Sequence, residues 1–470
     1  MDERLKRFAR VALVALSLLA KISVTLCRRL RLSLLALVAA VIAAGCESAR
    51  LPFSAGVGPH PALPPPKPTR IPTVHPAPAK GWPAGITPTA APGTTVSAFA
   101  AGLQHPRWLY VLPNGDILVA ESAAPPQPEE YQGLKGVAMK VVMRRMGSRV
   151  LSANRITLLR DTDGDGTPEV RSVFLAGLNS PFGMAVVGEH FYVANTDAVL
   201  RFPYVRGATR ITGPGTKIVD LPAGPLNRHW TRNLIANPDG SKLYVTVGSN
   251  SDHAEKGMER EAGRAAIWEI HVNTRTHRVF ASGLRNPNGL AWEPTRQALW
   301  TVVNERDALG SDLVPDYLTS VKPGSFYGWP YSYFGQHIDP RVKPTRPDAV
   351  AMAVKPDYAL GAHVAPLGLA FSRRNALPPE FGHGMFVGQH GSYNRRPLSG
   401  YNVVFVPFSQ GAPAGPPIEI LGGFLSIDGD AHGRPVGVAF DRHGALLVAD
   451  DVGNVVWRVK EAAGNLSGRP

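Results

Sequence analysis

From residue 94 onward, short apolar runs that alternate with a period of two are separated by Asn-Gly, Asp-Gly and His-Gly turns. That is the pattern of β-hairpins, and no segment in this stretch sustains a helical period. One unit recurs: a Pro or polar corner, an apolar run, a turn, then a β-rich run ending in a polar residue. The copies begin at His105-Pro106-Arg107-Trp108, Ser180-Pro181-Phe182-Gly183-Met184-Ala185 and Arg232-Asn233-Leu234-Ile235-Ala236. They continue at Asn286-Pro287-Asn288-Gly289-Leu290-Ala291, Ala365-Pro366-Leu367-Gly368-Leu369-Ala370 and Arg434-Pro435-Val436-Gly437-Val438-Ala439. Their second runs are Asp116–Glu121, Phe191–Asn195, Leu243–Gly248, Leu299–Asn304, Met385–Gln389 and Leu446–Asp450. Six such copies predict an all-β fold, a six-bladed β-propeller of four-stranded antiparallel blades over residues 94–465.

The first 93 residues read differently. In residues 1–46, Arg28, Arg29 and Arg31 precede an apolar run from Leu32 to Ala44, which ends in Ala43-Ala44-Gly45-Cys46. This is the order of a bacterial export signal, and the run is short for a membrane-spanning helix. The small–small–Cys ending resembles a lipoprotein signal, in which Cys46 carries the lipid that tethers the chain to a membrane. Ala43 stands where such signals usually have Leu; ordinary cleavage, or an anchor through Val11–Ala20, fits the same charges. Residues 47–93 hold 13 prolines, including Pro64-Pro65-Pro66, and are expected to form a disordered, extended linker. The location expected from these features is the periplasmic side of a bacterial cell envelope.

Composition narrows the picture further. Of 470 residues 44% are hydrophobic, enough for a sizeable core, while Gly 48 and Pro 44 suit short strands and tight turns. Two cysteines cannot build a disulfide framework or a Cys-rich zinc site. The excess of six positive charges in residues 1–46 leaves +8 of the net +14 on the remainder, spread without a Lys/Arg stripe. Nucleic acid is therefore not expected as a partner. Neither a dinucleotide-binding Gly-x-Gly-x-x-Gly nor a Gly-x-Ser-x-Gly elbow occurs at a strand–helix junction.

The residues before each inner apolar run should gather at one mouth of the propeller channel. They are His105 and Arg107, Asn179 and Ser180, His229 and Arg232, Arg285 and Asn286, His363, and Arg434. Arginines with histidines suit an anionic ligand beside a base. Asp161, Asp163 and Asp165, with Gly166 at the sixth position, copy the start of a calcium loop. Ser172 replaces the expected bidentate Glu at the twelfth, so an Asp/Gly-rich turn is the alternative. His253, Glu255 and Glu259 read as a solvated insert, with a metal cluster as the alternative, and Trp329, Tyr331 and Tyr333 as blade packing or a sugar platform.

Ser282-Gly283-Leu284-Arg285-Asn286-Pro287-Asn288-Gly289-Leu290-Ala291-Trp292, followed by Phe326-Tyr327-Gly328-Trp329-Pro330, resembles the pyrroloquinoline quinone (PQQ)-dependent sugar dehydrogenases, which include soluble glucose and aldose sugar dehydrogenases. Val303–Asp307, Leu313–Leu318 and Gln389–Arg395 resemble the L-sorbosone dehydrogenase-like branch. The resemblance covers residues 94–460 and implies PQQ lying on a calcium ion across the channel mouth. It implies that His229 is the catalytic base for the sugar C1 hydroxyl as hydride passes to the quinone. Arg285, Asn286, Arg434 and Asp450 match cofactor-contacting positions, with His390 and Arg395 the nearest candidates for the family's cofactor lysine. Glu305 and Arg306 align with positions that bind calcium through main-chain carbonyls, and Asp312 or Asp316 is a candidate for a second calcium. The implied reaction is oxidation of an aldose or sugar aldehyde, with electrons passing to a cytochrome or a quinone pool.

Departures from the family pattern are Arg228 in place of an acidic residue before the histidine and Pro181 or Phe182 in place of a cofactor-contacting glutamine. Two other readings fit the same architecture: a calcium-dependent lactonase-like hydrolase, and a non-catalytic propeller that binds glycans or proteins.

Overall fold

The computed structural model describes residues 48–68, 73–126, 133–147, 150–372 and 376–463. The export segment with Cys46 lies outside them. Six four-stranded antiparallel sheets follow one another as blades of a propeller, as the repeats predict. Their innermost strands are Pro106–Val111, Met184–Val187, Leu234–Ala236, Asn286–Glu293, Pro366–Phe371 and Pro435–Phe440. The sixth sheet is completed from far upstream: Thr94–Ala100 is its outermost strand, paired antiparallel with Val455–Glu461.

The two-residue alternation explains why the strands read as nearly continuous apolar runs. In the first blade Leu118 joins Phe182, Met184 and Phe191 of the second. Its neighbours Ile117 and Val119 join Leu447, Ala449 and Val456 of the sixth. Tyr192 and Ala194 of the second blade pack on Leu234, Leu243 and Val245 of the third, and the remaining interfaces follow suit. Successive side chains of a strand point to opposite faces, and here both faces meet another sheet.

The glycine in the recurring Pro-x-Gly-x-Ala corner has a specific cause. A Cβ at Gly437 would lie 2.8 Å from the Arg107 carbonyl oxygen, and one at Gly289 2.6 Å from Leu369 Cβ. At Gly368 it would meet the carbonyl of Val436, and at Gly183 the amide of Leu234. Each inner strand thus lies against the backbone of the next around a narrow ring, and only hydrogen fits between them.

The proline-rich segment differs from the expected stalk: its described parts are laid on the propeller. The Arg50 amide donates to Asp312 Oδ2 (2.7 Å), and Val57–Gly58 adds a strand to the fourth blade. The His75 amide donates to the Tyr393 carbonyl (2.7 Å), and Ala77 is fully buried. Thr89–Ala90 then adds a strand to the fifth blade. The segment is extended, as prolines demand, but its remaining amides and small side chains find partners on the folded surface.

The loops after each second strand and before each first strand open on one face. The Gly133–Arg145 helix, inserted after Ile117–Glu121, lies on that face.

Candidate active site

A cavity of about 460 Å³ occupies the channel mouth. Its wall includes His105, Arg107, His229, Arg285, Asn286, His363 and Arg434, all named from the repeat corners. Glu305, Asp307 and His390 reach it from loops after the second strands, Met143 from the inserted helix and Met146 from the turn that follows it. The expected convergence holds for these seven corner residues, whereas Asn179, Ser180 and Arg232 do not line the cavity; the Arg232 guanidinium is buried, donating to the His229, Thr231 and Pro222 carbonyls.

His229 is oriented from behind. Its Nδ1 lies 2.7 Å from the Ser249 carbonyl oxygen and 3.1 Å from the Ser249 hydroxyl oxygen. A carbonyl can only accept, so Nδ1 carries the proton and Nε2 keeps its lone pair. Burial, then the positive charges of Arg285 and Arg228, hold the imidazole well below its ordinary pKa, so it is neutral at neutral pH. A Cβ at Gly248 would come within 2.5 Å of His229 Cβ and meet Asn286 Oδ1, so that glycine lets the two side chains stand together.

Arg285 is fully engaged by protein. Its Nη1 donates to the Glu305 carbonyl (2.7 Å), its Nε to the Asp252 carbonyl (3.2 Å) and its Nη2 to Asp252 Oδ1 (2.8 Å). Behind it runs a line of alternating charge. Arg341 Nη1 pairs with Asp252 Oδ2 (3.1 Å) and its Nη2 with Asp339 Oδ2 (2.8 Å). Arg306 bridges Asp339 (3.1 Å) and Glu305 (2.9 Å). Burial opposes the charge of Asp252, but Arg285 foremost holds it ionised.

The opposite wall is built around Asp451. Arg107 Nη1 and His390 Nε2 (2.9 Å) both donate to its Oδ2, and His105 Nε2 lies 3.5 Å away. Burial pushes the His390 imidazole down to about 4, so Arg107 supplies the balancing charge for the Asp451 carboxylate. Asp316 is also buried, and burial lifts its carboxyl to about 8 although the Glu305 and Ala365 amides donate to it (both 2.7 Å).

Several buried polar atoms at this cavity find no partner among the described residues: Arg434 Nε and Nη1, Arg107 Nε, Asn286 Oδ1, Asn288 Oδ1 and Glu305 Oε1. Arg434 is almost wholly buried, and among the described residues its side chain donates only through Nη2, to Tyr401 Oη at 2.9 Å. Unsatisfied buried groups are costly and mark where a ligand completes the bonding. The donors suit carboxylates and the Glu305 oxygen suits a hard cation.

Of the residues singled out from the sequence, His229, Arg285, Asn286, Arg434, Glu305 and Asp316 meet at the cavity. Asp450 lies behind Arg434, accepting its amide at 2.8 Å. The Arg306 side chain is buried behind Glu305. Asp312 holds the proline-rich segment, and Arg395 donates to the Ser311 and Pro397 carbonyls beneath Phe53. Asp161, Asp163 and Asp165, joined by Glu169, place ligand atoms within 4.8 Å of one another on the hairpin at the other end of the first blade. Asp252, Asp307, Lys256, Tyr393 and Asp451 were given no role from the sequence. Asp451 was within reach, since it directly follows a recurring second strand; the Asp252–Lys256 insert has no counterpart in other blades.

A family model described as TrAA12-like matches residues 88–325 and 335–462. An uncharacterized protein of Borreliella burgdorferi is 30% identical over 241 residues, which is 51% of this chain and 62% of that protein. The pyrroloquinoline quinone-dependent pyranose dehydrogenase of Coprinopsis cinerea is 30% identical over 225 residues, 42% of this chain and 26% of that protein. The chain thus spans less than two thirds of these curated relatives. The holo form of the pyranose dehydrogenase PQQ domain from C. cinerea superimposes with a TM-score of 0.65 at 21% identity, covering 81% of this chain and 98% of that one. A calcium structure of the Trichoderma reesei family AA12 enzyme gives 0.65 at 20% identity, covering 80% of this chain and 97% of that one. These superpositions share the fold. With the family match spanning most of the propeller, the chain belongs to the TrAA12-like family.

Proposed function

We propose that the protein is a PQQ- and calcium-dependent dehydrogenase that oxidises an aldose or a related sugar aldehyde at C1. The observation that carries this reading is the pairing, at one cavity, of a neutral His229 whose Nδ1 is locked with an Arg434 whose buried Nε and Nη1 find no partner among the described residues. The donors fit a tricarboxylate quinone, with Arg434 and Arg107 as carboxylate partners and Asn286 beside them. Glu305, through its free Oε1, is the calcium residue the donor set favours. The quinone, when bound, supplies the electron-pair acceptor that no side chain offers.

The chain's own part is proton handling and position. His229 Nε2 accepts the proton of the sugar C1 hydroxyl, and the charge gained is stabilised by the Ser249 carbonyl at Nδ1–H. Arg285 is held rigid by its acceptors and keeps positive charge against the cavity, which also keeps His229 unprotonated beforehand. Arg228, which takes the place of an acidic residue, adds to that effect and disfavours a glucose dehydrogenase-like arrangement. Sorbosone-like aldehydes therefore remain in the proposed substrate range. The signal segment and Cys46 support an enzyme tethered in the cell envelope, passing electrons to a cytochrome or quinone pool.

The test is reconstitution of the purified chain with PQQ and Ca²⁺, followed by dye reduction with a panel of aldoses and sugar aldehydes. Quinone-dependent reduction with at least one sugar is expected. Absence of both a bound-quinone spectrum and dye reduction would refute the proposal.

A further inference from the structure

Residues 73–82 do not line the cavity but run behind one of its walls. Their path ends beside the residue whose side chain has two unpartnered donors. Pro78 accepts from the Ala431 amide (2.7 Å) and the Lys80 amide donates to the Ala431 carbonyl (2.9 Å), so the segment pairs with the chain three residues before Arg434. Trp82 follows. Its Nε1 donates to Asp450 Oδ2 (2.7 Å), and its ring stands edge-on to Phe424 (5.4 Å) and Trp457 (5.3 Å).

Asp450 is fully buried and takes two donors on each oxygen. Oδ2 receives Trp82 Nε1 and Trp457 Nε1 (3.1 Å), while Oδ1 receives the amides of Arg434 and Gly453 (both 2.8 Å). A Cβ at Gly433 or at Gly453 would collide with Oδ2, so glycines flank the carboxylate where it is gripped. The carboxylate thus has no edge left for a ligand. It links the indole of Trp82 to the backbone of Arg434.

We propose that Trp82 is a positioning residue for Arg434, acting through Asp450, and that residues 78–82 brace the anion-binding side of the cavity. This brace precedes residue 88, where the family match begins. The inference rests on the reading of Arg434 as an anion partner. Burial of an ionisable carboxyl with four donors fixes the Arg434 backbone; losing one donor loosens it without emptying the core.

The test uses Trp82→Phe in the full chain, which keeps an aromatic ring against Phe424 and Trp457 and removes the N–H. Hydrogen exchange at the Arg434 amide should quicken about tenfold, with blade-three amides such as Thr246 unchanged, given the worth of one hydrogen bond. PQQ affinity, followed by the bound-quinone spectrum, should weaken about five- to tenfold, while the sugar KM at saturating quinone stays at the wild-type value. Unchanged exchange at Arg434, or equally faster exchange in every blade, overturns the inference. If the wild-type chain takes up no PQQ, the proposed function falls and the exchange result alone decides whether Trp82 positions Arg434.

Discussion

The Nδ1 atom of His229 stands 2.7 Å from the carbonyl oxygen of Ser249, and this contact determines which imidazole nitrogen can serve as a base. It comes from a loop after a second strand meeting a loop before a first strand, the arrangement that every blade repeats at this mouth.

The first expectation concerns pH. A base works unprotonated, and burial with Arg285 and Arg228 lowers the His229 pKa well below 6.5. Sugar-dependent kcat/KM should therefore hold its plateau through pH 6.5 and fall only on further acidification. His229→Gln should lower kcat by about 100- to 10,000-fold while the bound-quinone spectrum persists. Wild-type turnover in that variant would assign the base elsewhere.

Arg434→Met removes the donors that find no protein partner. Charge-assisted hydrogen bonds contribute about 1.5–3 kcal/mol each, so PQQ affinity should drop at least tenfold. Calorimetric titration of the apo-protein measures this directly. Thermal stability should change little or rise, because buried donors without partners leave with the side chain.

Gly437→Ala places a methyl group 2.8 Å from the Arg107 carbonyl, between two inner strands. Overpacking of this kind costs about 1–3 kcal/mol, and a scanning calorimeter should register the lower melting temperature. Gly213→Ala is the matched control, since its nearest neighbour is 4.0 Å away.

Two buried carboxyls give stability a slope with pH. Burial raises Asp316 to about 8 and Asp450 to about 6, against 3.8 for the ordinary group. Folded protein keeps these protons where the unfolded chain has released them, so protonation favours the fold. Below about pH 6.5 the buried histidines His229 and His390, whose pKa values are lowered by burial, work the other way and make stability rise with pH, so the carboxyl effect is read above it. In chelator, the melting temperature should decline from about pH 6.5 to about 8 as Asp316 ionises. Calcium favours ionised carboxylates, and its addition should flatten that decline if Asp316 is among the ligands.

Much of the fold was legible in the sequence because each blade repeats a short signal whose physical cause is local: alternation for two-sided burial, a turn, and a glycine where Gly183, Gly289, Gly368 and Gly437 face a neighbouring backbone. The corner residues were legible for the same reason, since position in the repeat sets the end of the channel. Asp252 and Asp307 were harder to assign, because their roles depend on Arg285 and on Tyr393 and Asn394, from other blades. The proline-rich segment misled through composition. Prolines dictate an extended path, yet Ala77 and Trp82 supply the apolar contacts that dock it, and two such residues leave no periodic trace.

The strand Thr94–Ala100 is made early and its partner Val455–Glu461 late, so the circle of sheets stays an open arc until Val455–Glu461 has been made. Until then the sixth blade lacks its outermost pairing and the seam between it and the first blade is not closed. Loss of Val455–Glu461 would leave two flanks exposed at once, and one truncation before it should undo the whole ring instead of a single sheet.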